Sequence, residues 1–277
     1  MTVTPTSIHS APKSPGKYWT SYRASLSTFL QYRLNLVLYT IGHIISITAL
    51  YFLWSAIYQA GHTLGSYTFK EILSYYILIA LLRLTINEGT GMAFQTTNEI
   101  KDGQVTPYLT RPFSYPLRQF VDVLAKTSLN ILIVVPTVIA LALFLDVSDY
   151  LPHGIAILKG ITWSLLALYL YVVIYFLIAI LSFWVDRAES YIYATIVFSN
   201  FFNGSLLPLD AFPAWFVSLN NWLPFKYLMY VPIQAFLGKH QFSVFELCLG
   251  LGWALILSLA IQYIWRRGLR RYESLGI

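Results

Sequence analysis

Long apolar stretches, separated by short polar segments, dominate the chain. A stretch of about 20 apolar residues is the length that crosses the hydrocarbon core of a bilayer as a helix. The pattern therefore predicts an all-α integral membrane protein with one transmembrane domain over residues 17–277. It also predicts a disordered cytosolic tail over residues 1–16, which are polar and rich in Pro, Ser and Thr. The six predicted transmembrane helices cover residues 34–58, 72–93, 120–145, 157–184, 191–207 and 244–265.

Residues 17–33, before the first span, have an amphipathic pattern. Tyr22 and Leu26 recur at helical spacing with two further apolar residues, while Ser21, Ser25 and other polar side chains are expected elsewhere on the helical wheel. A helix of this kind lies in the headgroup plane as an interface helix. The alternative is a plain cytosolic extension of the first span.

Residues 208–238, between the last two spans, are too apolar for an ordinary loop. Their apolar pieces are each too short to cross a bilayer, which needs about 20 residues. An outer re-entrant helical hairpin would reconcile the two observations, because broken backbone at membrane depth must be buried in protein or line a cavity. The alternative is an aromatic anchor at the membrane surface.

The positions of the charges orient the chain. Of 277 residues only 11% are charged, and the net charge is +6. Because cytosolic loops carry the excess of Lys and Arg, the side with most of these residues is cytosolic, both termini lie there, and nucleic acid is not the expected partner. The basic residues on that side are Lys13, Lys17, Arg23, Arg33, Lys101, Arg111, Arg118, Lys126, Arg187, Arg266, Arg267, Arg270 and Arg271.

The sequence contains no motif for intrinsic catalysis. It has no P-loop, no His-Glu-x-x-His and no Gly-x-Ser-x-Gly, and with one cysteine it can form neither an intrachain disulfide nor a cysteine metal cluster. We therefore expect neither a catalytic site nor a metal site. Polar residues inside spans are costly in lipid and need partners. Three alternatives are open for such residues here: they line a pathway or an interface, they pair with one another, or they lie near the membrane boundary and reach the water. The candidates are Arg83, Asn87, Glu88, Asn200 and Asn203.

The polar segment 99–112 between the second and third spans is the clearest candidate for contact with a soluble partner. Gly103 and Pro107 interrupt any continuous helix there. At the start of the third span, Asp122 and Lys126 are four residues apart, and we expect them to pair. The turn at 186–189 is a second candidate contact, or a plain solvated turn.

Two motifs resemble the permease subunits of type-2 ABC exporters, and more narrowly a group of six-span bacterial permeases. The tail carries Trp-x-x-Gly-x-x-x-Tyr-x-Ser-x-Gly at residues 265–276. The segment 99–112 carries the matching Ile-x-x-Gly and Leu-x-Arg-Pro, at residues 100–103 and 109–112. The resemblance covers nearly the whole chain.

The resemblance implies a bacterial inner-membrane exporter of amphipathic, lipid-like, peptide or drug substrates. A separate ATP-binding subunit would hold ATP and Mg, so this chain would need no cofactor, and a second identical or paralogous permease would complete the complex within the lipids. Alternatives are a membrane-embedded transferase and an ATP-independent scramblase or scaffold. The segment 99–112 would be the coupling loop, with Glu99, Ile100, Lys101, Asp102, Gly103, Tyr108, Leu109 and Arg111 as the residues that contact the ATP-binding subunit.

Overall fold

The computed structural model describes residues 16–31, 33–109 and 114–274, and within them it contains helices and no strand. The predicted all-α fold is confirmed. Residues 1–15 of the predicted disordered tail lie outside the described part. Four 3₁₀ helices occupy Ser148–Tyr150, Ile180–Phe183, Leu209–Ala211 and Phe225–Leu228. The α-helices are α1 (Gly16–Gln31), α2 (Arg33–Gln59), α3 (Phe69–Ile86), α4 (Glu88–Lys101), α5 (Thr106–Leu109), α6 (Tyr115–Phe144), α7 (Ile155–Ala179), α8 (Ala188–Phe202), α9 (Ala214–Asn220), α10 (Tyr230–Phe236) and α11 (Val244–Ser274).

Three helical segments in the described part are long and apolar enough to cross a membrane: Tyr115–Phe144, Ile155–Phe183 and Val244–Tyr272. They correspond to the third, fourth and sixth predicted spans. Helix α2, with 27 residues, corresponds to the first predicted span. Helix α8 has 15 residues. At 1.5 Å per residue it is about 22 Å long, which is less than the hydrocarbon thickness of about 30 Å.

The second predicted span is not one helix. The prediction of a continuous helix over 72–93 is wrong, because α3 ends at Ile86 and α4 begins at Glu88. Breaking a helix frees backbone carbonyls, which need other donors away from water. Two side chains of α6 supply them: Asn130 Nδ2 donates to the Leu84 carbonyl, and Thr127 Oγ1 to the Thr85 carbonyl, both at 2.8 Å. The break is therefore built into the packing against α6.

Helix α7 is the central helix of the bundle. Of its most apolar stretch 61% is buried, against 28% for α6 and 11% for α11. It packs on α4, α10 and α11. At Gly160 the approach to α10 is so close that a Cβ atom would lie 2.1 Å from Cδ1 of Phe236. The absence of a side chain at residue 160 is thus what lets α10 rest on α7.

Helix α1 packs on α6 through polar contacts. Ser25 Oγ donates to Asp122 Oδ1 at 2.6 Å, and the Tyr22 and Ser128 hydroxyls are 2.7 Å apart. The expectation that Ser25 lies away from the face of Tyr22 is therefore wrong, since both side chains face α6. The expected Asp122–Lys126 pair is also wrong, because Asp122 forms its ion pair with Arg118, at 3.5 Å.

Residues 208–238 contain two short α-helices, α9 and α10, and two 3₁₀ helices. After α8 the chain continues through an irregular stretch at 203–208. Two side chains of α3 donate hydrogen bonds to its carbonyls. Tyr75 Oη donates to the Gly204 carbonyl at 2.6 Å, and Tyr76 Oη to the Leu206 carbonyl at 2.7 Å. These contacts meet the requirement for irregular backbone at membrane depth, so the re-entrant hairpin stays our prediction. Trp215 on α9 is 69% exposed.

We expect Tyr75→Phe to destabilise the protein by about 1–2 kcal/mol, because the buried Gly204 carbonyl would lose its donor. Tyr75 is fully buried, so no water can replace the hydroxyl without rearrangement. The measurement is thermal unfolding in detergent, followed by tryptophan fluorescence. Tyr191→Phe is the matched control, since Tyr191 is 50% exposed. Equal unfolding midpoints for the two variants would contradict the assignment.

Candidate functional site

The connection from α4 through α5 forms a turn with a buried base and an exposed tip. Ile100 and Val105 are buried at its base. Gly103 ends α4 with a φ of 75°, a left-handed conformation that favours glycine. The Gln104 N–H then donates to the Glu99 carbonyl at 2.9 Å across this turn. The tip leaves five side chains exposed, those of Lys101, Asp102, Gln104, Thr106 and Pro107.

Glu99 fixes the base of this turn to α6. Its Oε2 accepts from the Tyr115 hydroxyl at 2.6 Å, from Gln119 Nε2 at 3.2 Å and from Arg118 Nη1 at 3.3 Å. Its Oε1 accepts from Gln95 Nε2 at 2.7 Å. Of the predicted contact residues, Glu99 and Ile100 thus face the protein itself, whereas Lys101 and Asp102 are exposed.

Arg118 joins this turn to α1. Its guanidinium carbon lies 4.8 Å from the centre of the Tyr108 ring in α5. The same guanidinium group pairs with Glu99 in α4 and with Asp122, which in turn accepts from Ser25 of α1. Four elements, α1, α4, α5 and α6, are therefore connected through one cation. Sequence reasoning placed Arg118 in the positive-inside count only, although Tyr115, Arg118 and Gln119 share a helical face.

Lys101 connects the tip to the first turn of α8. Its Nζ lies 2.7 and 2.9 Å from the two carboxylate oxygens of Glu189. This hydrogen bond lowers the pKa of Glu189 below its ordinary value. Both side chains are about one-third exposed, so the pair contributes little to stability. It does bring together the two polar segments that the sequence marked as candidate contacts.

The C-terminal part of α11 packs at the same end of the helix bundle as the tip. We call this end the basal end and define it by Lys101, Tyr115, Phe183 and Tyr272. The rings of Tyr115 and Trp265 stack with centroids 5.3 Å apart. The Tyr272 hydroxyl lies 3.1 Å from Thr106 Oγ1 at the start of α5. The predicted contact segment is thus held by α6, α8 and α11.

The five intramembrane candidates fall into separate groups, and Ser205, which sequence reasoning missed, joins three of them. Arg83 Nη2 donates to Ser205 Oγ at 3.1 Å, and Ser205 Oγ donates to Asn200 Oδ1 at 3.3 Å. The Ser205 N–H donates to Asn203 Oδ1 at 2.8 Å. Serine is too common in membrane helices for its position alone to have marked it.

The other two candidates lie at the break between α3 and α4. The Tyr171 hydroxyl donates to Asn87 Oδ1 at 2.8 Å, and Asn130 Nδ2 donates to Glu88 Oε1 at 2.9 Å. Both partners come from neighbouring helices, α7 and α6. Asn87 and Glu88 therefore support the helix break, and Glu88 uses Asn130 rather than Arg83 as its partner.

Two further predicted contact residues, Tyr108 and Leu109, lie at the end of α5. Tyr108 packs on the Tyr115 ring, with centroids 5.5 Å apart, and Leu109 is the last residue of the helix. Arg111 lies outside the described residues. The site is thus a short helix mounted on a polar and aromatic base, with an exposed tip that carries Lys101 and Asp102.

Comparison with known proteins decides the family. The family model described as ABC-2 family transporter protein matches residues 44–276. The chain belongs to the ABC-2 transporter family. The resemblance drawn from the two sequence motifs is confirmed at this level. A comparison with curated proteins finds no match.

This ABC-2 protein is accordingly a membrane component of a transporter, of the permease type, and its family implies association with an ABC ATP-binding subunit. The matched residues include all four residues that define the basal end. The family assignment and the geometry together direct attention to the exposed tip between α4 and α5.

Proposed function

We propose that this permease is the membrane-spanning half of an ATP-driven exporter and that the tip between α4 and α5 docks on a separate ATP-binding subunit. ATP and Mg would bind to that subunit, which would move the tip when it closes. A second copy of this chain, or a related permease, would complete the pathway. The large number of aromatic residues, 17% of the chain, suits an amphipathic substrate such as a lipid, a peptide or a drug.

The observation that carries this proposal is the contrast between the tip and its base. Asp102 and Gln104 are exposed, whereas Glu99, at the base of the same turn, is tied to three residues of α6. A mobile loop would absorb a push from a partner by rearranging. A tip on a braced base passes the push to α4 and α6, which is what coupling to ATP hydrolysis requires.

The proposal also commits to an orientation. By sequence, most of the Lys and Arg fall on the side of the 99–112 segment, so this side, with the basal end, would face the cytosol of a bacterial inner membrane. The 208–238 segment would then face outward.

The test is purification of the permease from the cells that produce it naturally, where an ABC ATP-binding subunit should co-purify, after which ATP hydrolysis is measured. We expect Asp102→Lys to weaken binding about tenfold, because a reversed charge at a buried contact loses its partner. Folding should be unchanged, since exposed charges contribute only about 0–1 kcal/mol to stability.

Asp146→Lys is the matched control, because Asp146 is exposed and lies beyond the far end of α6, away from the tip. This variant should bind the ATP-binding subunit like the unaltered chain. Full binding by the Asp102→Lys variant would show that the tip is not the docking element. Absence of any P-loop protein from the purified complex would favour an ATP-independent scramblase or a membrane-embedded transferase.

A further inference from the structure

Near its C-terminus, one face of α11 packs around the ring of Phe183, which lies in the 3₁₀ helix that follows α7. Trp265, Gly268 and Tyr272 follow one another at spacings of three and four residues, so they share a helical face. The Phe183 ring lies 5.4 Å from the Trp265 ring and 5.9 Å from the Tyr272 ring, centroid to centroid. A Cβ at residue 268 would lie 2.2 Å from Phe183 Cδ2. We call these three residues the α11 contact face.

Helix α5 contacts the α11 contact face directly at its start and through Tyr115 of α6 near its end. At its start, Thr106 Oγ1 lies 3.1 Å from the hydroxyl of Tyr272, whose side chain is 3% exposed. Near its end, the Tyr108 ring packs on Tyr115, which stacks on Trp265. A displacement of α5 would therefore act on α11 directly at Tyr272 and indirectly through Tyr115.

Most of the surface of the rest of α11 is not buried within this chain. Only 11% of its most apolar stretch is buried. At the opposite end, Glu246 pairs with Lys226 at 2.6 Å and with His240 at 2.8 Å. Beside the α11 contact face, Arg266, Arg267 and Arg270 are exposed. Between its two ends, α11 contacts α7 through the hydroxyls of Tyr169 and Ser258, which are 2.7 Å apart. Because α11 is one continuous helix, a displacement of its C-terminal part would be passed along its length.

We propose that Tyr272 is a positioning residue that links α5 to α11, so that movement of the tip by the ATP-binding subunit also moves the last helix. The inference rests on the proposed function and extends it. Tyr272 is buried against α5 and the 3₁₀ helix Ile180–Phe183, so it acts through Thr106 and Phe183 and does not itself contact the ATP-binding subunit. Its hydroxyl fixes the position of α5 along α11, and its ring packs on Phe183.

The experiment uses Cys248, the only cysteine of the sequence, which is exposed on α11. An environment-sensitive fluorophore on Cys248 reports movement of this helix in the full complex with its ATP-binding subunit, reconstituted in liposomes. Addition of ATP and Mg should shift the emission of the unaltered complex. Tyr272→Phe removes only the hydroxyl, and we expect it to leave binding of the ATP-binding subunit intact while reducing the ATP-dependent shift about fivefold.

Thr106→Val removes the other partner of the same hydrogen bond. It should reduce the shift to a similar extent, and the double variant should lose no more than either single variant. Tyr263→Phe is the matched control, because Tyr263 lies on the same helix and is 57% exposed. Its shift should equal that of the unaltered complex.

A full shift in the Tyr272→Phe complex would overturn the inference, and so would a missing shift in the unaltered complex despite bound ATP-binding subunit. Loss of binding in the Tyr272→Phe variant would also overturn it, because the contact would then build the docking surface itself. Failure of the unaltered chain to bind any ATP-binding subunit is a different result, which refutes the proposed function.

Discussion

Glu99→Ala should destabilise the protein by about 3 kcal/mol, one of the two largest effects that we expect. Glu99 lies at the base of the tip with a side chain that is only 12% exposed, and it accepts hydrogen bonds from Tyr115, Arg118 and Gln119. Its removal would leave a partly buried guanidinium group with Asp122 as its remaining carboxylate. Removing one partner of a buried charge pair costs about 3–5 kcal/mol, and the second carboxylate reduces that loss.

The measurement is thermal unfolding of the purified chain in detergent. Glu189→Ala is the matched control, since Glu189 also pairs with a cation at the basal end but is 32% exposed. It should cost no more than about 1 kcal/mol. If the two variants unfold at the same temperature, Glu99 does not brace the tip, and the proposed transmission from α5 to α6 loses its support.

The second large effect is expected from Gly160→Leu. This variant should lower the free energy of unfolding by about 3 kcal/mol, because it overpacks the contact between α7 and α10. The Phe236 ring has three atoms within 2.4 Å of the position that a Cβ at residue 160 would take. Phe236 is 9% exposed, so its ring can leave only if α10 moves away from α7. The variant should also expose the 208–238 segment to limited proteolysis.

Gly252→Leu is the control for this substitution. Gly252 also lies inside an apolar helix, but a Cβ there would meet no atom within 4 Å. Leucine should be neutral or slightly stabilising at this position, because glycine is a poor helix former. A second variant, Gly160→Leu with Phe236→Ala, should regain part of the lost stability. Unfolding of the single variant at the original temperature would contradict the packing argument.

The sequence was sufficient to predict the all-helical class, the polar segment between α4 and α6, and the family. These features rest on composition and local motifs, such as the run of apolar residues in α7 and the glycine at 103 that ends α4. The break at Asn87 was not predictable from hydropathy, because its freed carbonyls are satisfied by Thr127 and Asn130, more than 40 residues away.

The candidate site was predicted in outline only. Local pattern indicated that Lys101 and Asp102 were polar and near a turn, and the structure places both on its exposed surface. It could not show that Glu99 turns inward, because the choice depends on the partners that α6 presents. Nor could it connect Tyr272 to Thr106, which are 166 residues apart in the chain. Such contacts arise from tertiary packing, which periodicity does not encode.

The break at Asn87 divides one predicted span into two helices that have different attachments. Helix α3 is fixed to residues 204–206 by Tyr75 and Tyr76 and also packs on α6, whereas α4 packs mainly on α7 and is tied to the start of α6 by Glu99. Local opening follows such cooperative units rather than predicted spans. Amide hydrogen exchange should therefore separate the α3 amides from the α4 amides. Binding of a soluble partner at the tip should slow exchange in α4 while leaving the exchange rates of α3 unchanged.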